Sequence, residues 1–298
     1  MTVVITPASA PSATASAKRS LPPENRYRKL TVGGFSTNLT LLLLGVAFTI
    51  PLLWIVLASF DRNAGAALRF PNLSLTNYRG VLNVAHMRPF YNSLYLSIVS
   101  TAIATVVALF AGYALSRRHL PFKGTLMLVV LFLSGLPVAM LLVPTYQIFV
   151  QIHLIDSLFY TSLFIAATSL PFAIWLLKNF IDQVPRELEE AAQIDGASNL
   201  TIMLKVVVPL AMPGIVATAM ITFIGAWGAF VIPLVLDANP SDTPGSVAIY
   251  QFMSQNAQVQ FGPLAAYSLL FAIPVIVIYL AVSRTMAGAF TFAGGIKT

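Results

Sequence analysis

The chain has 298 residues, of which 57% are apolar and 9% charged, with a mean hydropathy of +0.82. A soluble domain carries charge on about a quarter of its residues, so this composition excludes an ordinary soluble enzyme and, equally, a disordered chain. The net charge of +7, from 17 Lys+Arg against 10 Asp+Glu, sits beside apolar stretches, where it sets membrane orientation rather than calling for nucleic acid.

In chain order, residues 1–36 come first as an Ala-, Ser- and Pro-rich segment closed by Lys18, Arg19, Arg26, Arg28 and Lys29. No apolar segment precedes its Ala8-Ser9-Ala10, so a cleaved leader is not indicated. The segment reads as a flexible basic cytoplasmic tail, placed to touch anionic membrane lipid.

Six apolar stretches follow, at about Thr37–Phe60, Tyr91–Leu115, Gly124–Ile148, Ser157–Leu177, Pro213–Leu236 and Leu264–Val282. A helix crossing a hydrocarbon core of about 30 Å needs about 20 apolar residues, and none of these stretches has a charged residue or histidine in its interior. Prolines 51, 137, 144, 171, 233 and 274 lie within them; membrane helices tolerate such breaks where neighbours or water take up the freed carbonyls. Gly225 and Ala229 form a small-xxx-small packing pair in the fifth. A short tail, residues 285–298, closes the chain.

Thirteen of the basic residues fall on one side of this arrangement: the five of the N-terminal tail, Arg117, Arg118, Lys123, Lys178, Arg186, Lys205, Arg284 and Lys297. Only Arg62, Arg69, Arg79 and Arg88 fall on the other, which places both termini in the cytoplasm.

The fourth loop, residues 182–212, is too long for a connector and holds five of the acidic residues, Asp182, Glu187, Glu189, Glu190 and Asp195. Pro185 suits a first helical turn, the three glutamates sit near a helix N-terminus, and Gly196 suits a left-handed stop. Arg186, Glu190 and Gln193 share one face, while Ala191 and Ala192 make a smooth patch. A second helix opens at Ser198 or Asn199. Its Leu200, Met203, Leu204 and Val207 are expected on the membrane face, with Pro209 and Pro213 ending it. Spacing alone leaves two readings open, a knob that fits a partner's groove and an amphipathic linker without a partner.

The run Glu190-Ala191-Ala192, three residues, Gly196, nine residues, Val206-x-Val208-Pro209 resembles the EAA loop of ABC importer permeases. Val206 and Val208 stand where that family has Ile and Leu. The wider run Val184–Ala192 is similar to the carbohydrate-uptake branch, in particular the maltose-type second permease subunit, as are Asn92-Ser93-Leu94, Ala111–Arg117, Pro171–Leu177 and Gly294–Lys297. One departure is Trp227-Gly228-Ala229-Phe230, where the family often has Trp-Asn-Glu-Phe.

The resemblance implies an all-α, polytopic fold of the type I ABC importer permease, with residues 37–284 as a six-helix transmembrane domain in a prokaryotic cytoplasmic membrane. It implies that Glu190, Ala191, Ala192, Asp195, Gly196 and Pro209 belong to a loop coupled to a cytoplasmic ABC ATPase dimer. A second permease subunit, a homologous heterodimer partner, and an extracytoplasmic solute-binding protein that delivers a carbohydrate complete the assembly. ATP and Mg would act on the ATPase, with no cofactor in this chain. The chain itself has no G-x-x-x-x-G-K-[ST] phosphate loop.

Other classes fit less well. An ion-coupled secondary transporter needs intramembrane acids or histidines, and here Asp156 and Asp237 stand only at span ends. An intramembrane enzyme lacks paired carboxylates, a His cluster or a Ser-Lys pair at depth. The absence of cysteine excludes disulfides, a thiolate nucleophile and Cys-held metal, and His86, His119 and His153 lack metal-ligand spacing. For the translocation path the aromatic faces of Trp227 and Phe230 are the candidates. The cargo reads as a sugar or oligosaccharide, with a sugar-phosphate or glycerol derivative as the alternative.

Overall fold

The computed structural model describes residues 32–65, 70–254 and 259–294. The basic cluster of the N-terminal tail, Arg69 and Lys297 lie outside these residues. The chain divides into two units at Ile50/Pro51.

The first unit contains the N-terminal part of α1, Val32–Phe60, and its side chains from Thr37 to Ile50 are all exposed. An apolar helix with no buried face is made for lipid or for another subunit.

In the second unit the remaining elements are α2 (Thr76–Val81), α3 (Val84–Arg117), α4 (Lys123–Ser134), α5 (Val138–Gln151), α6 (Leu158–Asp182), α7 (Arg186–Ile194), α8 (Asn199–Ile202), a π-helical turn at Met203–Val207, α9 (Val208–Leu210), α10 (Met212–Trp227), α11 (Val231–Leu236), α12 (Gly245–Ser254) and α13 (Phe261–Gly294). Among the described residues the only strand-like pairing is an isolated bridge between Asp61 and Leu73. The protein is all-α. Among the described residues four helices are long and apolar enough to span a membrane, and up to six spans result if each of two sharply bent helix pairs counts as one.

One bent pair is α4 with α5, and the other is the helical run Asn199–Leu210 with α10, meeting at 78°. The stretch expected at Gly124–Ile148 is α4 and α5, meeting at 86°. Between them Gly135-Leu136-Pro137 breaks the ladder, because Pro137 lacks the N–H that Leu133 O would accept. The stretch expected at Pro213–Leu236 stops at Trp227 and resumes at Val231. There Pro233 cannot donate to Ala229 O, and Ser246 Oγ of α12 donates to it instead at 2.7 Å. A half-buried side-chain hydroxyl thus replaces the missing backbone donor.

The centre of the unit is α3 packed along α6, with α10 against both. Ser100 Oγ donates to Ser162 O at 2.9 Å, and Ala104, Ala108, Ala166 and Ala173 are fully buried. Small residues let membrane helices approach closely enough for dispersion to hold them. α10 comes close to α6 at Gly214, where a Cβ would lie 2.3 Å from the Phe180 ring. Asn92 at the start of α3 and Thr161 at the start of α6 bond the same 237–243 segment, so α3 and α6 run in the same direction. Their other ends meet the 182–212 loop.

Candidate functional site

α7 begins after Pro185, whose extended ψ of 132° turns the chain out of α6. Glu187 and Glu189 occupy its first turn, facing the positive helix end. It ends in a Schellman arrangement, with Ala197 N–H bonded to Ala192 O and Gly196 N–H to Gln193 O, both at 3.0 Å. Gly196 takes φ +81° to close it, a conformation that glycine adopts without a Cβ penalty. Ser198 then caps α8 by accepting from Thr201 N–H at 3.3 Å.

The second helix is less regular than its periodicity implies. Val208 N–H reaches back five residues to Met203 O, and Pro209 offers no N–H to Lys205 O, so the backbone widens into a π turn. The expected membrane stripe splits as a result. Met203 and Val207 turn into the bundle with Ile202 and are buried, whereas Leu200 and Leu204 remain exposed.

Along α7 Glu190, Ala191, Asp195 and Gly196 are exposed and Ala192 is half-buried; Pro209 is exposed further on. Leu188 shares the open surface, and Ile194 is 87% exposed. The buried residue of α7 is an acid, Glu189, at 6%. Successive helical residues differ by about 100° in direction, so Glu190 points outward while its neighbour points into the protein.

Sequence reasoning did not single out what Glu189 meets there. Arg117, the last residue of α3, donates from Nε to Glu189 Oε1 at 2.6 Å. Tyr113, one turn earlier, donates its hydroxyl to Oε2 at 3.2 Å. Arg117 Nη2 also caps the end of α6, bonding Ile181 O at 3.0 Å and Val184 O at 2.9 Å, a favourable place for a cation. Ser116 Oγ donates to Asp182 Oδ1 at 2.5 Å, and Lys178 pairs with Asp182 Oδ2. Every oxygen of both carboxylates is occupied. Beneath lie Ile181, Val184, Val207 and Ala211, all buried, with Tyr113 packed on them. The signal was present in the Ala111–Arg117 run, where Tyr113 and Arg117 stand at i and i+4.

Beside this pair opens a polar cavity of about 330 Å³, lined by Tyr113, Arg117, Arg118, Arg186, Glu189, Glu190, Gln193 and Asn199. The face expected of Arg186, Glu190 and Gln193 is therefore one wall of a charged hollow.

The two aromatic candidates lie apart from this loop and differ from each other. Trp227 is 3% exposed, stacked on Phe271 at 4.6 Å and on Phe223 at 5.8 Å, with Phe90 edge-on at 5.3 Å. Its Nε1 donates to Phe271 O at 2.9 Å. Phe230, at the break between α10 and α11, is half-buried against Tyr250 at 5.6 Å, and Tyr250 is 50% exposed.

The family described as "Binding-protein-dependent transport system inner membrane component" matches residues 104–287. The chain is 32% identical over 253 residues to the trehalose transport system permease protein of Mycobacterium tuberculosis, covering 83% of this chain and 92% of that one. It is 29% identical over 255 residues to the sulfoquinovosyl glycerol transport system permease protein of Agrobacterium fabrum, covering 83% and 88%. Its fold matches a chain of a bacterial ABC transporter that imports alginate, with TM-score 0.74 and 20% identity over 86% of this chain and 97% of that one. It also matches a chain of an alginate transporter in complex with a periplasmic protein bound to an alginate pentasaccharide, with TM-score 0.62 and 17% identity over 88% and 96%. The family match, a relative at this identity over most of both chains, and the spanning helices agree: the chain belongs to the binding-protein-dependent transport system inner membrane components and is a multi-pass ABC importer permease, a transport subunit rather than a catalytic one.

Proposed function

We propose that this permease carries a sugar or oligosaccharide inward across a prokaryotic cytoplasmic membrane, driven by ATP hydrolysed with Mg on a separate cytoplasmic ABC ATPase dimer. The 182–212 loop docks on that ATPase through Glu190, Ala191, Ala192, Asp195 and Gly196, with Pro209 shaping the second helix. Both termini are cytoplasmic. A homologous second permease completes the pathway, and an extracytoplasmic solute-binding protein delivers the cargo. Trp227 and Phe230 border the path: Trp227 holds the α10–α11 break from behind, and Phe230 with Tyr250 offers aromatic faces to a sugar ring.

The observation that carries the docking reading is the surface of α7. A short helix outside the membrane-spanning segments exposes Leu188, Ala191 and Ile194 although its one buried side chain is charged. Exposed apolar residues beside a charged hollow suit a protein partner. The carbohydrate reading is supported by the trehalose permease among the relatives. A glycerol derivative is the second reading, supported by the sulfoquinovosyl glycerol permease.

The test is uptake by the complete transporter with Glu190→Lys or Gly196→Asp. The expected result is a permease that inserts and assembles while its ATP hydrolysis no longer drives uptake. Normal uptake by both variants contradicts the docking reading.

A further inference from the structure

α7 is attached to the rest of the protein in an unusual way. Its buried side chain is Glu189, where an amphipathic helix ordinarily anchors itself with apolar residues. Its chain connections are an extended proline at one end, Pro185, and a left-handed glycine at the other, Gly196. What crosses from α7 to the spans is the Glu189 carboxylate, held at both oxygens by Arg117 and Tyr113 of α3, with a longer bond from Arg186 Nη2 to Ser116 O at 3.3 Å beside it. The same guanidinium grips Ile181 O and Val184 O at the end of α6.

We propose that Arg117, with Glu189, is a positioning pair that makes α7 and the ends of α3 and α6 move as one body, so that displacement of α7 is passed into the spans. This rests on the reading of α7 as the ATPase-docking helix and adds the route by which its motion leaves the loop. The planar fork of the guanidinium is what the site requires, because four acceptors, Glu189 Oε1, Ser116 Oγ, Ile181 O and Val184 O, are held from one rigid group. A buried pair of this kind contributes little to stability beyond what well-packed apolar residues would give, but it fixes geometry. Energetic coupling between distant sites needs such a discrete, contiguous connection.

That difference defines the experiment, made on the complete transporter in proteoliposomes with its binding protein. The variants are Arg117→Lys and the double variant Arg117→Met/Glu189→Met. Both are measured for ATPase co-purification, thermal midpoint, and substrate taken up per ATP hydrolysed. The double variant is expected to keep the ATPase, with a midpoint lowered only as far as the loss of a donor to Ile181 O and Val184 O requires, while uptake per ATP falls about tenfold, the scale on which contiguous networks modulate coupling. Arg117→Lys keeps the charge but not the fork, and it is expected to lose uptake per ATP as well. Parental uptake per ATP in both variants overturns the proposal. So does loss of the ATPase in step with uptake, which would make the pair a support for docking rather than a relay. A crosslink from Ile194→Cys to the ATPase in the otherwise unchanged protein separates failure of this proposal from failure of the docking reading.

Discussion

The two ends of the α3–α6 pair solve the same problem with different chemistry. At the Arg117 end, charged groups are paired and each carboxylate oxygen of Glu189 and Asp182 has a donor. At the other end the contacts are mostly neutral: Asn92 Nδ2 donates to Ser241 O at 2.9 Å and to Thr243 O at 3.0 Å, and Ser93 Oγ accepts from Gly245 N–H at 2.9 Å. Its one deeply buried charge is incompletely served. Asp237 is 4% exposed; Thr161 donates to its Oδ1 at 2.9 Å, but its Oδ2 has no donor among the described residues. Burial, reinforced by Asp242 and Asp156, pushes the Asp237 carboxyl up to about 7 against the Thr161 bond. One end is a saturated electrostatic joint. The other is a neutral clasp with a protonatable group inside it.

Substitutions at each end sharpen this contrast. The largest effect is expected from Glu189→Ala, which leaves Arg117 buried beside two carbonyls without its counter-charge. Breaking a buried pair from one side costs about 3–5 kcal/mol, read as a lowered thermal midpoint of the purified permease. Asn92→Ala is expected to cost less, about 1–3 kcal/mol, for two carbonyls left without their donor. Equal losses at the two sites would erase the distinction between joint and clasp.

The smallest effect, and the one that depends on pH, belongs to Asp237. Its folded carboxyl titrates near 7 and its unfolded one near 3.8, so between those values the folded state holds a proton that the unfolded state releases. The stability it contributes is complete below the lower value and is lost as pH rises through the higher one. The thermal midpoint of the parent is expected to fall between about pH 5 and pH 8 more steeply than that of Asp237→Asn, which cannot ionise. Parallel profiles would show that this carboxyl ionises freely.

The spans were legible because length and apolarity alone define them, and the loop because its acids interrupt an otherwise uncharged chain. Gly196 announced its left-handed turn for a purely steric reason. The fold of the third stretch was signalled by Gly135 and Pro137, but a proline within an apolar run predicts a kink without its angle. The Arg117–Glu189 pair was hidden by distance in sequence: its members stand 72 residues apart, and the spacing of Tyr113 and Arg117 puts them on one helix face without naming the acid they meet. The same holds for Trp227, whose burial depends on Phe90 of α3 and Phe271 of α13. The membrane stripe of the second loop helix divided because Pro209 forced a π turn that periodicity does not foresee.

Docking of the exposed face of α7 on an ATPase can be read out by crosslinking. Ile194→Cys places a thiol at a position 87% exposed on that face, in a chain that has no other cysteine. In native membranes this thiol is expected to crosslink to a nucleotide-hydrolysing subunit, with a yield that changes when ATP is bound. Efficient labelling of the thiol by a small water-soluble reagent, with no crosslink to an ATPase in any nucleotide state, would contradict the account.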